Sequence, residues 1–255
     1  MTAVGVTWVT DPADPVAWGA GPAMAAVRGR FASEEVDVDY VLAGVHGTID
    51  DPVGTAHVAL DVQEATGMPV DVRPWLGPEP PRSSAPGSRL VCAARAQGHE
   101  GTLLRVLLLA FQVGAGPAPD TAEGLLVAAS TVPGLDVARL GRTSGHAAAE
   151  ADRARAAALG ARAGKLPLLL VAGERVRPDE LVDAVHAAGA RERPTPSVAQ
   201  VLADAPPGGL AAAEVAAACA LLPTDAEAAL WALAAGGEVR PRRIAGGGAL
   251  WEPAA

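Results

Sequence analysis

Sulfur chemistry has little to work with in this sequence. Of 255 residues only two are cysteines, Cys92 and Cys219, far apart and neither with a second cysteine nearby. That excludes a Cys-x-x-Cys redox pair and a cysteine-rich zinc site; both thiols read as partly buried helical residues. Aromatics are also few, five Trp, one Tyr and two Phe, so Ala, Val and Leu must fill the core, which favours closely packed helices. Basic charge falls short of acidic: 20 Lys and Arg face 29 Asp and Glu, a formal net charge of −9. A chain of that sign repels phosphate backbones and anionic lipid, so neither nucleic-acid nor membrane binding is expected. No apolar run reaches the roughly 18–20 residues that span a bilayer, and no basic segment leads into an apolar stretch at the start; a cytoplasmic location is the expectation. The five histidines are scattered, and Gly246-Gly247-Gly248 fits no Walker or dinucleotide pattern, so neither a metal nor a cofactor is expected.

What is present reads as α/β. Val4 to Thr10 is β-rich and stops at Asp11-Pro12. Asp14-Pro15 has the form of a helix start, a capping carboxylate followed by proline in the first turn. That helix should run to about Arg30 with a kink at Pro22. Val36 to Leu42 alternates apolar and acidic residues and reads as a second strand. The crossover between the strands is long enough for parallel pairing. Residues 50–163 then read as a helical insert, with candidate helices at 57–65, 90–97, 101–113, 121–130, 135–140 and 146–163 around a Pro-rich segment at 70–88. The sheet resumes at Pro167 to Ala172, with a short strand at 175–177 and a helix from Pro178 to about Ala188. The reading is therefore a frame of residues 1–49 and 164–190, an insert of 50–163, and a region of 195–255. Three short helices and a hairpin give that last region a winged-helix-like outline. Its three arginines face six acidic residues, which argues against DNA binding. It is expected to pack on the rest of the chain or to pair with a second copy in a homodimer.

The element order resembles a thioredoxin fold with a large helical insertion, and particular residues sharpen the resemblance. Asp11-Pro12-Ala13-Asp14-Pro15-Val16-Ala17-Trp18-Gly19 looks like the active-site segment of the DsbA family, in its FrnE-like dithiol–disulfide isomerase branch. There the pattern is Asp-Pro, one residue, Cys-x-x-Cys, then Trp-Gly. Pro22, Gly67-Met68-Pro69, Pro80-Pro81-Arg82-Ser83-Ser84, the stretch from Cys92 to Gly98, and Gly134-Leu135-Asp136-Val137 match further motifs, and the resemblance spans about residues 4–190. The two cysteine positions hold Asp14 and Ala17. In a working oxidoreductase the first thiol is held as thiolate at the helix start and the second resolves the mixed disulfide. A carboxylate and a methyl group do neither. The serine of the related glutathione-using branch is absent too.

The resemblance places a cis-proline at Pro167, facing the active-site loop. It implies a thiol site turned to another use: a redox-inactive protein that binds, or transforms without thiols, a small organic molecule, a role suggested by the family's association with specialised metabolism. If the chain is an enzyme, the expected activity is isomerase- or cyclase-like. A non-catalytic adaptor holding an extended peptide at the Pro167 edge is the alternative, and residual thiol redox through Cys92 a third. Asp14 and His46, the latter in Gly44-Val45-His46-Gly47 after the second strand, are the candidate catalytic groups. Asp14 is read first as a helix cap, His46 as the residue best suited to proton transfer near neutral pH. Trp18, Trp75, Lys165, Leu166 and Pro167 are the candidate binding residues, the two tryptophans as walls of an apolar cleft.

Overall fold

The computed structural model describes residues 3–114, 116–143, 145–162 and 165–254. Strand β1 (Val4–Thr10) leads into two short helices, α1 (Pro15–Gly19) and α2 (Gly21–Arg30), and returns as β2 (Val36–Leu42). β1 and β2 pair in parallel from Val4↔Val36 to Thr10↔Leu42. Trp8 opposes Tyr40, their rings 5.9 Å apart and tilted, a cross-strand pair that fixes register. The single kinked helix expected over 14–30 is instead two helices. Pro22 at the start of the second would clash with the carbonyl four residues before it, so α1 stops at Gly19 and α2 begins anew.

Between β2 and β3 every element among the described residues is helical: α3 (Pro52–Thr66), α4 (Arg73–Leu76), α5 (Ala85–Arg95), α6 (Glu100–Val113), α7 (Ala122–Ser130), α8 (Val137–Arg142) and α9 (His146–Ala158). The Pro-rich segment expected to be extended holds the one-turn α4 and the start of α5. The expected helix 146–163 ends at Ala158; Ala163 lies outside the described residues. β3 (Leu168–Val171) and β4 (Glu174–Val176) complete a four-stranded sheet of order β2-β1-β3-β4, with β3 antiparallel to both neighbours. A 3-10 turn and α10 (Leu181–Ala187) follow.

The chain then runs through α11 (Val198–Ala203), β5 (Leu210–Ala211), α12 (Ala212–Ala218), α13 (Pro223–Ala235), β6 (Val239–Arg243) and β7 (Ala249–Pro253). β7 pairs with both β5 and β6, so the expected hairpin is a three-stranded antiparallel sheet. This region has its own apolar cluster, with Val215, Leu230 and Trp251 fully or nearly buried. It also packs on the rest of the chain. A Cβ on Gly29 of α2 would meet the Ala218 carbonyl oxygen of α12 at 2.4 Å, so glycine alone permits that approach. The connecting residues are stapled to the end of α2: Arg193 donates to the carbonyls of Arg28 and Gly29, and Arg30 pairs with Glu192 at 2.6 Å.

Candidate functional site

The site is built where β1 and β2 end and α1 begins. Asp14 caps α1: its Oδ1 accepts from the backbone N–H groups of Val16 at 2.7 Å and Ala17 at 3.2 Å. Pro15 behind it has no N–H to leave unsatisfied. The other oxygen, Oδ2, faces His46 Nε2 at 3.2 Å. Both oxygens of the Asp14 carboxylate are therefore engaged, and its side chain is 4% exposed. Ala17, expected at the second cysteine position, is fully buried.

A second carboxylate lies behind the first. Asp11 is fully buried; it accepts from Ala13 N–H at 3.0 Å, His46 N–H at 3.2 Å and the Ser84 hydroxyl at 3.0 Å. Burial pushes the Asp11 carboxyl above its usual range, against the opposing pull of His46 and these hydrogen bonds. Burial alone would lower the basicity of His46, but the hydrogen bond to Asp14 and the charges of Asp11 and Asp14 outweigh it and hold the imidazole above its ordinary value. His46 keeps 19% of its side chain at the surface, so its proton can reach solvent while the two carboxyls cannot. Chemically, the arrangement can hold an imidazolium beside two carboxylates; it has no sulfur to exchange.

The motif segments have visible work. Ser84 N–H donates to the His46 carbonyl, Ile49 N–H to the Arg82 carbonyl, and the Ser83 hydroxyl to the Gly47 carbonyl, so 82–84 fix the loop that carries His46. Pro69 accepts from Trp18 Nε1 at 3.0 Å. Arg95 donates to Asp152 and to the Tyr40 carbonyl.

Of the candidate residues, the structure brings Asp14 and His46 together and sends several others elsewhere. Trp18 and Trp75 are each 1% exposed and are interior side chains, not cleft walls. Trp18 is tied to Pro69, and Trp75 stacks on Phe111 with ring centroids 6.1 Å apart. Burial of a large ring removes much apolar area from water. Leu166 is also interior, in a cluster with Val9, Val41 and Leu168. Lys165 is on the surface. Pro167 is half-buried, its peptide bond to Leu166 is cis, and it precedes the Leu168 that pairs with Val9 near the end of β1.

Sequence reasoning passed over a second buried ionic centre. Arg105 of α6 is 8% exposed and its Nη2 donates to Glu214 of α12 at 2.7 Å and to the Gly209 carbonyl. Its guanidinium lies 4.2 Å over the Trp18 ring. Each is the one charge in an apolar stretch, Leu103 to Val113 and Leu210 to Leu222, and that complementarity was the signal. The chain from Pro69 through Trp18 and Arg105 to Glu214 ties α1 to the C-terminal region.

Both thiols are buried. Burial, with the Asp152 carboxylate 3.6 Å from its sulfur, pushes the Cys92 thiol up to about 12. Among the described residues no three His, Cys, Asp or Glu side chains are grouped to hold a metal ion, and no single helix is long and apolar enough to cross a membrane.

No protein-family model matches the chain, and no curated protein matches it. Solved structures do. A protein assigned as a disulfide isomerase from Nitrosomonas europaea aligns with a TM-score of 0.58 at 17% identity, covering 73% of this chain and 95% of that one. The cytosolic disulfide reductase DsbM from Pseudomonas aeruginosa, solved with GSH, aligns at 0.56 and 20% identity, covering 72% and 98%. A protein assigned as a DsbA oxidoreductase from Streptomyces coelicolor aligns at 0.56 and 17%, covering 72% and 89%. These matches define the class of fold: thioredoxin-like with a helical insertion, the architecture of DsbA-like disulfide oxidoreductases. The chain shares that architecture without a Cys-x-x-Cys pair.

Proposed function

We propose that this chain is a FrnE-like member of the DsbA family that performs no dithiol exchange and binds, or transforms by non-thiol chemistry, a small organic molecule in the cytoplasm. The observation that carries the reading is the occupation of the nucleophile's place. Asp14 spends one oxygen on the helix N–H groups and the other on His46. A carboxylate so engaged forms no mixed disulfide, and Ala17 resolves none. Glutathione, present with DsbM, finds no partner thiol in that place here. If a reaction occurs at this seat, His46 is its proton donor, since it is the most exposed of the three ionisable groups. The C-terminal winged-helix-like region is read as a structural wall of the protein, not as a nucleic-acid reader.

The test has two arms. In an insulin-reduction assay the purified protein should add nothing to the rate with reductant alone; clear turnover overturns the redox-inactive reading. Native mass spectrometry of the protein as purified should show a bound species of small-molecule mass. An exclusively peptide-bound form would favour the adaptor reading instead. A thiol reagent at pH 8 should leave Cys92 unlabelled in the folded protein and label it fully in denaturant, because so little thiolate exists at a pKa of about 12.

A further inference from the structure

A large cavity lies away from the Asp14–His46 seat. It measures about 1020 Å³ and opens where α2, β2 and the start of α6 meet α11 and α12. That is the upper end of the range for small-molecule sites, about 300–1,000 Å³. Part of its wall is apolar: Val38, the Tyr40 ring, Pro133, Pro194 and Pro196. The polar part includes the guanidinium groups of Arg28, Arg105 and Arg193.

Arg28 donates to the Tyr40 hydroxyl at 2.9 Å, and Arg193 donates only to the backbone carbonyls of Gly29 and Arg28, at 3.0 and 2.6 Å. Among the described residues neither makes an ion pair with a carboxylate. Arg105 lies behind them, its own charge taken by Glu214. It feels the repulsion of Arg28, which adds to burial in lowering its basicity. Of the three carboxylates lining the cavity, Glu214 is held by Arg105, and Glu100 acts on Arg95 and Cys92. Glu100 and Asp204 make no ion pair among the described residues, so the charges of the wall balance, and what distinguishes Arg28 and Arg193 is guanidinium donors not taken up by a carboxylate. The 14-residue helix α6, which carries Glu100 in its first turn, presents further donors. Its cap residue His99 makes no side-chain capping bond, so first-turn N–H groups and the positive end of the helix dipole lie at the cavity wall that Glu100, Gly101 and Thr102 form.

From these positions we infer that the cavity binds a small organic anion, a carboxylate or phosphate on an apolar body. Its charged end meets Arg28, Arg193 and the start of α6, and its body lies against Tyr40 and the prolines. Guanidinium groups match carboxylate and phosphate in a planar, two-bonded geometry, and the apolar wall selects against the bare ion. The inference rests on the small-molecule reading above and names the ligand's class and place; it uses no residue of the thiol seat.

Titration calorimetry on the full chain, freed of any co-purified ligand, tests it with four probes: 2-naphthoate, 2-naphthyl phosphate, 2-naphthamide and inorganic phosphate. One or both organic anions should bind at least 10-fold more tightly than the neutral amide and than inorganic phosphate, and the stronger of the two distinguishes carboxylate from phosphate. Arg28→Gln should weaken that anion 10-fold or more with little change for the amide. Thr102→Trp, which fills the cavity without removing a charge, should abolish binding of both, while thermal melts confirm that each variant is folded. Equal affinity for acid and amide, or anion binding unaffected by both substitutions, overturns the inference. So does a small molecule found by native mass spectrometry while none of the four probes binds, an outcome that leaves the small-molecule reading standing. Absence of any small molecule on the purified protein, with no probe bound, overturns both.

Discussion

The two ends of α1 and α2 handle charge in opposite ways. At the start of α1, charges are closed on one another: Asp14 on the helix and His46, Asp11 on backbone, Ser84 and His46. At the end of α2, Arg28 and Arg193 face a cavity of about 1020 Å³ with backbone carbonyls and a phenol as partners. A satisfied cluster stabilises local structure and has little left with which to recognise a ligand. An unsatisfied one has free donors and a volume in which to use them. The first end thus holds local architecture, while the recognition chemistry proposed above is placed at the second.

The link between the two ends, Arg105–Glu214, offers the strongest way to break the comparison. Glu214→Ala would leave the guanidinium of Arg105 buried over Trp18 without its counter-charge. Removing one partner of a buried pair costs about 3–5 kcal/mol, and urea denaturation followed by fluorescence should show a loss of that size. The double substitution Arg105→Met/Glu214→Leu should recover most of it, because the charge and its countercharge leave together. If Glu214→Ala costs under about 1 kcal/mol on the same reckoning, the pair does not hold the C-terminal region in place.

Closing the first end is a smaller effect. Asp14→Ala removes a helix cap, typically worth about 1 kcal/mol, and frees His46. A loss of that order in urea denaturation, together with an imidazole that titrates lower by NMR, is the expected result. Stability unchanged by the substitution would mean that the cap and the His46 contact contribute nothing measurable.

How much of this was legible depends on how local the signal was. β1 and β2 were read to their end residues, because alternation and β-branched residues specify a strand within seven positions. The Asp14 cap was legible because Asp-Pro before an apolar run has one economical reading. The split of α1 from α2 was half-legible: Pro22 announced a disturbance, but whether a helix bends or restarts depends on what it packs against. Trp18 and Trp75 were placed wrongly because their burial is decided by partners remote in sequence, Pro69 and Phe111. The same distance hid the Asp11–His46 contact and the cavity, whose walls come from residues 25 to 218. β5 was missed because two residues carry no periodicity; only the β7 partner makes them a strand.

The finest test concerns the sign of one titration. His46 is held above its ordinary value, so its protonated form is favoured by folding. The stability this contributes is complete below the unfolded value, about 6.5, and is lost as pH rises through the folded one. Asp11 is also raised: folding favours its neutral form, so its contribution falls away as pH climbs above the ordinary carboxylate range. Because each group shifts the other, the two are separated by comparing the protein with His46→Gln and, in parallel, Asp11→Asn with the double variant. The difference in melting temperature should be widest near pH 6 and close steadily toward pH 9. A difference that stays constant over that range, or widens, would mean that the imidazole is neutral in the folded protein. The seat at α1 would then be held by hydrogen bonds alone, and His46 would have no proton in store for any reaction there.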